Sequence, residues 1–239
     1  FIRHDFNTTS GITIISSGTF NLINIEKTWG WGYNENGLLG NGTLDSKSSL
    51  TEIYGNHTFC KIYYNYNHGY SISATDINNK TWTWGNNFYG QLGDNTTDNQ
   101  YTPVEIFGNH TFSNIIDVKY STLGLDNNNL LWGWGYNSSG QTGNGTIQNT
   151  STPMAVHGNH TFCQIYSIYY GAIAVDNNGQ SWSWGNNLYG SLGDGTGENK
   201  STPVIIYGNH SFYKIYNSYE TLYATDYNNR NWSWGLNNY

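Results

Sequence analysis

Residues 132 to 143 have the sequence Trp-Gly-Trp-Gly-Tyr-Asn-Ser-Ser-Gly-Gln-Thr-Gly, and versions of this stretch recur along the chain. Related copies occupy positions 29–40, 82–93 and 182–193, and the first half returns at 232–239. The second Trp of each copy is at position 31, 84, 134, 184 or 234, a spacing of 53 and then three times 50 residues. Self-similarity at such a period is typical of repeat architectures. We therefore expect a repeat protein in which this stretch is a structural unit.

The paired Trp residues and the last Gly of each copy are predicted to form the frame of the repeats, because they stay the same while their surroundings vary. The residues concerned are Trp29, Trp31, Trp82, Trp84, Trp132, Trp134, Trp182, Trp184, Trp232, Trp234, Gly40, Gly93, Gly143 and Gly193.

Short apolar segments alternate with turn residues within each repeat. In the repeat that begins at Gly158, strands are predicted over 162–166, 171–175, 180–184 and 203–207, the last starting at Pro203. The Asp-Asn-Asn-Gly cluster at 176–179 predicts a hairpin turn, since Asp and Asn tolerate left-handed backbone. Four short strands without helical periodicity predict one four-stranded antiparallel blade per repeat. Blades repeated radially form a β-propeller, so the fold class is all-β.

We expect one domain over residues 1–239, with repeats of about 50 residues. Their approximate bounds are 1–54, 55–107, 108–157, 158–207 and 208–239. The last repeat ends before its fourth strand, while Phe1 to Phe6 fall on the register of a fourth strand. Two alternatives stay open: a five-bladed ring closed by the N-terminal strand, or five repeats of a longer propeller.

Composition narrows the function classes. Only 10% of the residues are charged and 17% are aromatic, with a formal net charge of -7. This balance disfavours nucleic acid as a partner, because a phosphate-binding surface needs clustered cations. No apolar run is long enough to span a membrane.

Cys60 and Cys163 occupy equivalent repeat positions and should be too far apart for a disulfide, so two free, buried thiols are expected. Cytoplasmic and secreted locations are both compatible.

Two sets of repeated polar residues could suggest a catalytic or metal site. His57, His110, His160 and His210 recur in a Gly-Asn-His turn, and Asp76, Asp126, Asp176 and Asp226 recur in the hairpin turn. Repetition spreads each set around a propeller, and Asp in such a turn is explained by side-chain bonds to the backbone. Phosphate-loop and nucleophile-elbow motifs do not occur. We therefore predict a non-enzyme with no cofactor and no metal.

Variable segments carry the candidate binding residues. Amphipathic rings on variable loops suit a binding face, although packing at a blade edge is the alternative explanation. The candidates are Tyr63, Tyr64, Tyr66, His68, Tyr120, Tyr169, Tyr170, Tyr219 and Glu220. Asn-His-Thr/Ser sequons in a predicted exposed turn also mark candidate glycosylation sites at Asn56, Asn109, Asn159 and Asn209.

The motif Trp-x-Trp-Gly-x-Asn-x-x-Gly-Gln-Leu-Gly-x-Gly-Thr, seen in close form at 82–96 and 182–196, resembles the repeat of the regulator of chromosome condensation family. The following Thr-Pro-Val at 102–104 and 202–204 matches as well. The resemblance covers nearly the whole chain and implies a β-propeller, usually of seven blades. It also implies protein binding, and for the founding member nucleotide exchange on a small GTPase. The family usually has a His between its first two strands, where only His68 stands nearby, and no exchange-factor residue can be matched.

Three functions therefore remain as hypotheses. The first is a non-catalytic propeller that binds a protein partner, or its own copies, as a scaffold or structural component. The second is a guanine-nucleotide exchange factor, from the resemblance alone. The third is a secreted or surface glycoprotein that binds sugar, motivated by exposed aromatics, low charge and sequons.

Overall fold

A computed structural model describes residues 27–63, 70–218 and 221–237. These ranges contain strands and turns and no helix. The seventeen strands are β1 (Trp29–Gly32), β2 (Lys47–Glu52), β3 (Phe59–Tyr63), β4 (Ser71–Asp76), β5 (Thr81–Gly85), β6 (Gln100–Glu105), β7 (Phe112–Val118), β8 (Ser121–Asp126), β9 (Leu131–Gly135), β10 (Thr150–Ala155), β11 (Phe162–Ile168), β12 (Gly171–Asp176), β13 (Ser181–Gly185), β14 (Lys200–Ile205), β15 (Phe212–Ser218), β16 (Thr221–Asp226) and β17 (Asn231–Gly235).

The strands form five antiparallel sheets, which we number as blades 1 to 5. Blade 1 is β1-β2, blade 2 is β3 to β6, blade 3 is β7 to β10, blade 4 is β11 to β14, and blade 5 is β15 to β17. Within each blade the strands pair in chain order. The prediction of an all-β fold with four-stranded antiparallel blades is therefore confirmed. The predicted contribution of Phe1 to Phe6 lies outside the described residues.

Hydrophobic clusters lie between successive blades. Between blades 3 and 4, for example, Val118 and Leu123 pack with Ile165 and Trp184. The first strand of blade 3, β7, contacts the first strands of both neighbouring blades, β3 and β11. First strands thus lie side by side at the inner edge, and the blades pack face to face around it, as in a propeller.

The second Trp of each motif connects its blade to the one before it. The buried indole of Trp134 donates through Nε1 to the carbonyl oxygen of Gln91 in blade 2, at 2.9 Å. Equivalent bonds join Trp84 to Leu38 at 2.8 Å, Trp184 to Gln141 at 3.0 Å and Trp234 to Ser191 at 2.9 Å. Each acceptor lies in the Gly-rich turn of the preceding blade, so the two halves of the motif meet across the blade interface.

The Gly that ends each turn leaves room for this indole. Gly93 has a φ of +71°, and a Cβ added there would lie 2.7 Å from Nε1 of Trp134. Gly143 has the same relation to Trp184, with a φ of +70° and a distance of 2.7 Å. A side chain at this position would therefore meet both backbone strain and a clash.

The Asn of each Trp-Gly-x-Asn segment orders the loop between the third and fourth strands. Asn187 is fully buried, and its Nδ2 donates to Oδ1 of Asp194 at 3.1 Å, to the carbonyl of Thr196 at 3.0 Å and to that of Glu198 at 3.2 Å. Its Oδ1 accepts from the backbone N–H of Leu192. Asn34, Asn87 and Asn137 are equally buried and organise the other loops in the same way.

Two sequence-based expectations need correction. The fourth strand of blade 4 begins at Lys200, so Pro203 lies inside the strand. A register shift between Ser183 and Gly185 places this Pro in a bulge, where its missing N–H interrupts no regular ladder. Cys60 and Cys163 are free, as expected, but they are exposed. Each follows a Phe at a register shift between the first and second strands, which turns the side chain outward.

We predict that Gly143→Ala destabilises the fold far more than Gly145→Ala. Both glycines have positive φ, but a Cβ at Gly145 would meet no atom closer than 3.5 Å, whereas one at Gly143 meets the indole of Trp184. We expect a loss of about 1–2 kcal/mol for Gly145→Ala and about 2–4 kcal/mol for Gly143→Ala in chemical denaturation. Equal losses would contradict the role of Gly143 in the blade interface.

Asn187→Asp should also destabilise strongly, by about 3 kcal/mol or more in the same assay, because it sets a buried carboxylate against three oxygen acceptors. Asn199→Asp is the matched control. Its exposed side chain accepts from the backbone N–H of Asn187 at 2.9 Å, which a carboxylate also does. A similar cost for both variants would show that the Asn187 amide does not organise the loop.

Candidate functional site

The antiparallel order gives every blade two different ends. We call upper the end with the loops from first to second and from third to fourth strand, and lower the end with the other connections. In blade 3 the upper loops are 119–120 and 136–149, and the lower loop between β8 and β9 is 127–130. Candidate residues at opposite ends of a blade therefore belong to different surfaces.

At the lower end, the repeated Asp residues have a structural role. Asp176 accepts through Oδ1 from the backbone N–H of Asn178 at 2.8 Å and of Gln180 at 2.9 Å, and through Oδ2 from Nε1 of Trp182 at 3.0 Å. Asp76, Asp126 and Asp226 make the same three bonds. Each carboxylate thus closes its own hairpin and fixes the first Trp of the motif. Sequence reasoning anticipated the turn but not the indole bond.

The repeated His residues also belong to the lower end. The ring of His160 lies 4.1 Å from that of Trp182 and 5.6 Å from that of Phe162, centroid to centroid. His57, His110 and His210 pack the same way on their own blades. Loss of hydration in these contacts lowers the pKa of His57, His110 and His160. Among the described residues no group of His, Cys, Asp and Glu could hold a metal ion.

The candidate glycosylation residues are all exposed in lower turns. Asn56, Asn109, Asn159 and Asn209 have φ values of 54°, 54°, 50° and 58°, directly before the packed His rings. Asn adopts this left-handed conformation more readily than most residues. Their modification stays a prediction.

At the upper end, tyrosine rings from neighbouring blades meet. Tyr70 of blade 2 stacks on Tyr120 of blade 3 at 5.4 Å between ring centroids, and Tyr89 of blade 2 lies 5.3 Å from Tyr120 and 4.8 Å from Tyr136. We call tyrosine band the set Tyr70, Tyr89, Tyr120, Tyr136, Tyr169 and Tyr170. The rings of this band are exposed or partly buried, so they form part of the surface.

Lys119 connects the blade 4 part of the band to the rest. Its Nζ lies 4.3 Å from the ring centroids of both Tyr169 and Tyr170, and 5.9 Å from that of Tyr120. It also donates to the hydroxyl of Tyr169 at 2.7 Å. The band therefore runs from blade 2 through blade 3 to blade 4, with one ammonium group among its rings.

Tyr120 has an unusual backbone conformation. Its φ is 63°, and it is the only residue with positive φ among the described ones that is neither Gly nor Asn. A bulky residue in this region is strained by about 1–2 kcal/mol, and such strain is most frequent at functional sites. The two-residue turn between β7 and β8 thus holds the Tyr120 ring at a local energetic cost.

Asp117 lies on β7 next to this turn. Its Oδ1 is 3.5 Å from the hydroxyl of Thr122, which itself donates to the carbonyl of Gln91 in blade 2. Loss of hydration raises the pKa of Asp117 to about 7, and the nearby hydroxyl of Thr122 has a smaller effect in the opposite direction. The charged form of Asp117 is therefore disfavoured in the folded protein.

The structure separates the candidate binding residues. Tyr120, Tyr169 and Tyr170 lie together at the upper end, whereas Tyr64, Tyr66, His68, Tyr219 and Glu220 lie outside the described residues. The expectation that Tyr63 belongs to a binding loop is wrong. This residue ends strand β3 and is buried, with its hydroxyl 3.3 Å from the carbonyl oxygen of Phe112 in the next blade. It is an interface residue because the side chain points between the blades.

Sequence reasoning missed Tyr70, Tyr89 and Tyr136. Tyr89 and Tyr136 lie inside the motif assigned to the frame, so their variation between copies was overlooked. A signal was present, since the motif alternates between neighbouring repeats. Blades 2 and 4 carry Phe88-Tyr89 and Leu188-Tyr189 at the loop tip, while Tyr33 and Tyr136 of blades 1 and 3 follow the Trp-Gly segment directly.

The fold and the band define the class of this protein: a β-propeller with an aromatic surface at one end of its blades. Residues 78–122 match the family model described as the regulator of chromosome condensation (RCC1) repeat. This stretch of the chain therefore matches the RCC1 repeat, in agreement with the resemblance of its motif.

Solved structures support the same fold. Human WBSCR16 has a TM-score of 0.66 and 19% identity, over 80% of this chain and 50% of that one. Yeast RCC1 (Prp20) bound to Kap60 has a TM-score of 0.71 and 16% identity, over 88% and 52% of the two chains. Prp20p of Saccharomyces cerevisiae, described with its binding to Gsp1p and histones, has a TM-score of 0.70 and 16% identity, over 88% of this chain and 54% of that one. The chain spans about half the length of each.

Within the described ranges, no helix has the length and hydropathy of a membrane span.

We predict that Asp117→Asn stabilises the protein above pH 7 and has little effect near pH 4. A carboxyl with a folded pKa of about 7 instead of 3.8 costs stability as pH rises through this window, and the full cost is present above it. Chemical denaturation at several pH values measures the difference between variant and wild type. Asp98→Asn, on an exposed loop, is the control. An Asp117→Asn effect that grows toward low pH would contradict the raised pKa of this carboxyl.

Proposed function

We propose that this protein is a non-catalytic propeller that binds a protein partner through the tyrosine band. The observation that carries the proposal is the continuity of the band across three blades at one end, where Tyr70, Tyr89, Tyr120 and Tyr136 contact each other across a blade boundary. The rings belong to loops on a rigid frame, which is the usual arrangement of a binding face.

The chemistry of the band favours a protein as the partner. Tyr side chains provide large, amphipathic contact areas and are enriched where proteins bind each other. Phe88 and Leu188, at the tips of the upper loops of blades 2 and 4, are 71% and 67% exposed and extend the apolar area. The descriptions of the two Prp20 structures name protein partners of that yeast protein, which agrees with partner binding by this class of fold.

The other two hypotheses have weaker support. Nucleotide exchange comes from the family resemblance alone, and no exchange-factor residue can be matched in this sequence. If candidate GTPases release nucleotide no faster when this protein is present, the exchange-factor hypothesis is excluded for them. The sugar-binding hypothesis gains nothing from the related structures, whose names concern proteins.

Tyr120→Gly should strongly weaken partner binding while the fold keeps its stability. Gly adopts the φ of 63° without strain, which offsets the lost ring contacts. The test isolates a protein that binds the wild-type chain, purifies it and measures its affinity for each variant. We expect Tyr120→Gly to weaken binding by tenfold or more, in the range of an aromatic hot spot.

Tyr207→Ala is the control, because Tyr207 is equally aromatic, 77% exposed and located at the lower end. Thermal unfolding of each variant verifies the fold. A partner that binds Tyr120→Gly as well as the wild type, or that depends on Tyr207 instead, would refute the proposal that the band is the binding face.

A further inference from the structure

The upper end carries more acidic than basic groups. Its described loops and their strand ends contain Glu35, Asp45, Asp94, Asp98, Asp194 and Glu198 against Lys47, Lys119 and Lys200. Two of these amines lie near carboxylates of their own loops, Lys47 at 3.7 Å from Asp45 and Lys200 at 3.5 Å from Asp194. The Asp98 and Glu198 residues are exposed. The rim around the tyrosine band is therefore an acidic surface.

The lower end differs in this respect. Its repeated Asp residues accept the bonds that close the hairpins, as Asp176 does from Asn178, Gln180 and Trp182. Other carboxylates there form ion pairs, Glu52 with Lys27 at 2.8 Å and Glu105 with Lys80 at 3.1 Å. The carboxylates of the lower end are thus largely bonded within the chain. At the upper rim Asp94 and Asp194 are also bonded within their own loops, whereas Asp98 and Glu198 are exposed to solvent.

Lys119 shows that the band accommodates a cation. Its ammonium group lies against two tyrosine faces, each 4.3 Å from Nζ, in a typical cation–π geometry. Loss of hydration acts against the charge, but hydrogen bonds to Tyr169 and Tyr170 raise the pKa of Lys119 above its usual value. The amine is protonated at neutral pH, so the chain itself supplies one example of the ligand chemistry that these rings accept.

We propose that the partner segment bound by the tyrosine band is cationic, with arginine and lysine side chains that stack on the tyrosine rings inside the acidic rim. This inference rests on the proposed function and names the chemistry of its partner. Charge complementarity favours such a segment over a second copy of this chain, which carries a formal net charge of -7. It also disfavours anionic ligands, which the rim would repel.

Two peptides of equal length, one rich in arginine and one rich in glutamate, test the inference directly on the purified chain. Fluorescence anisotropy should detect binding of the arginine-rich peptide only. Its affinity should fall when the salt concentration rises from about 0.05 M to about 0.5 M, because salt screens the rim carboxylates. Equal binding of both peptides, or binding that salt leaves unchanged, would overturn the inference.

Three variants and one control show whether the rings provide the site. Tyr170→Phe keeps the ring face and should retain the affinity for the arginine-rich peptide. Tyr170→Leu should lower this affinity by about three- to tenfold. Lys119→Met removes an ammonium group that competes with the peptide for the tyrosine faces and repels its positive charges. The affinity for the arginine-rich peptide should therefore increase. Tyr207→Leu, at the lower end, is the control and should change nothing. Circular dichroism and thermal unfolding of every variant confirm that it is folded.

The outcomes separate this inference from the proposed function. If the arginine-rich peptide fails to bind while Tyr120→Gly still loses the isolated protein partner, the band binds a partner of another chemistry and only the inference fails. Equal peptide affinity of Tyr170→Leu and the wild type places the cation elsewhere and overturns it as well. Self-association of the chain that Tyr120→Gly abolishes would identify a second copy as the occupant and would contradict a cationic partner.

Discussion

The hydrogen bond from a buried indole to the turn of the preceding blade is the interaction on which the rest of this structure depends. A buried indole N–H without an acceptor costs about 1–3 kcal/mol, so the neighbouring turn must present a carbonyl at the correct place. In the interface of blades 2 and 3, Trp134 supplies the donor, Gln91 the acceptor and Gly93 the space. The motif therefore combines two half-interfaces, one for each neighbour. Its regular recurrence follows, since every blade must match the blades on both sides.

The same frame makes the upper surface possible. Buried Asn residues such as Asn137 fix the long upper loops through bonds to their backbone, so rings at the loop tips are held without a large core of their own. The lower end has its own organisation, in which Asp carboxylates and His rings hold the first Trp of each motif. At the upper end the Gly-rich turns pack against the next blade, whereas the residues at the loop tips vary between repeats and are free to serve recognition. The strained turn at Tyr120 agrees with this division, because nothing in the frame requires a bulky residue there.

The sequence was sufficient for the fold because local periodicity and packing agree in this protein. The spacing of the Trp pairs, the Asp-Asn turns and the short apolar segments each determine structure within one repeat, so the strands and their order could be predicted. Errors arose where a position depends on contacts between strands or blades. Pro203 lies in a bulge that only the pairing of β13 with β14 defines, the Cys residues turn outward at register shifts, and Tyr63 is buried by the next blade. The candidate site was predicted in part, since Tyr120, Tyr169 and Tyr170 were found from variation. Tyr70, Tyr89 and Tyr136 join them through contacts between repeats; the variation of Tyr89 and Tyr136 between copies is visible in the sequence, but these contacts are not.

Footprinting of tyrosine side chains in the partner complex tests most directly the claim that recognition belongs to the upper end of the blades. In such an experiment, oxidative labelling compares the free chain with the same chain bound to its purified partner. The account predicts protection of Tyr70, Tyr89 and Tyr136 in the complex, with Tyr54 and Tyr207 at the lower end labelled equally in both states. Protection of Tyr54 and Tyr207 with an unchanged tyrosine band would contradict it.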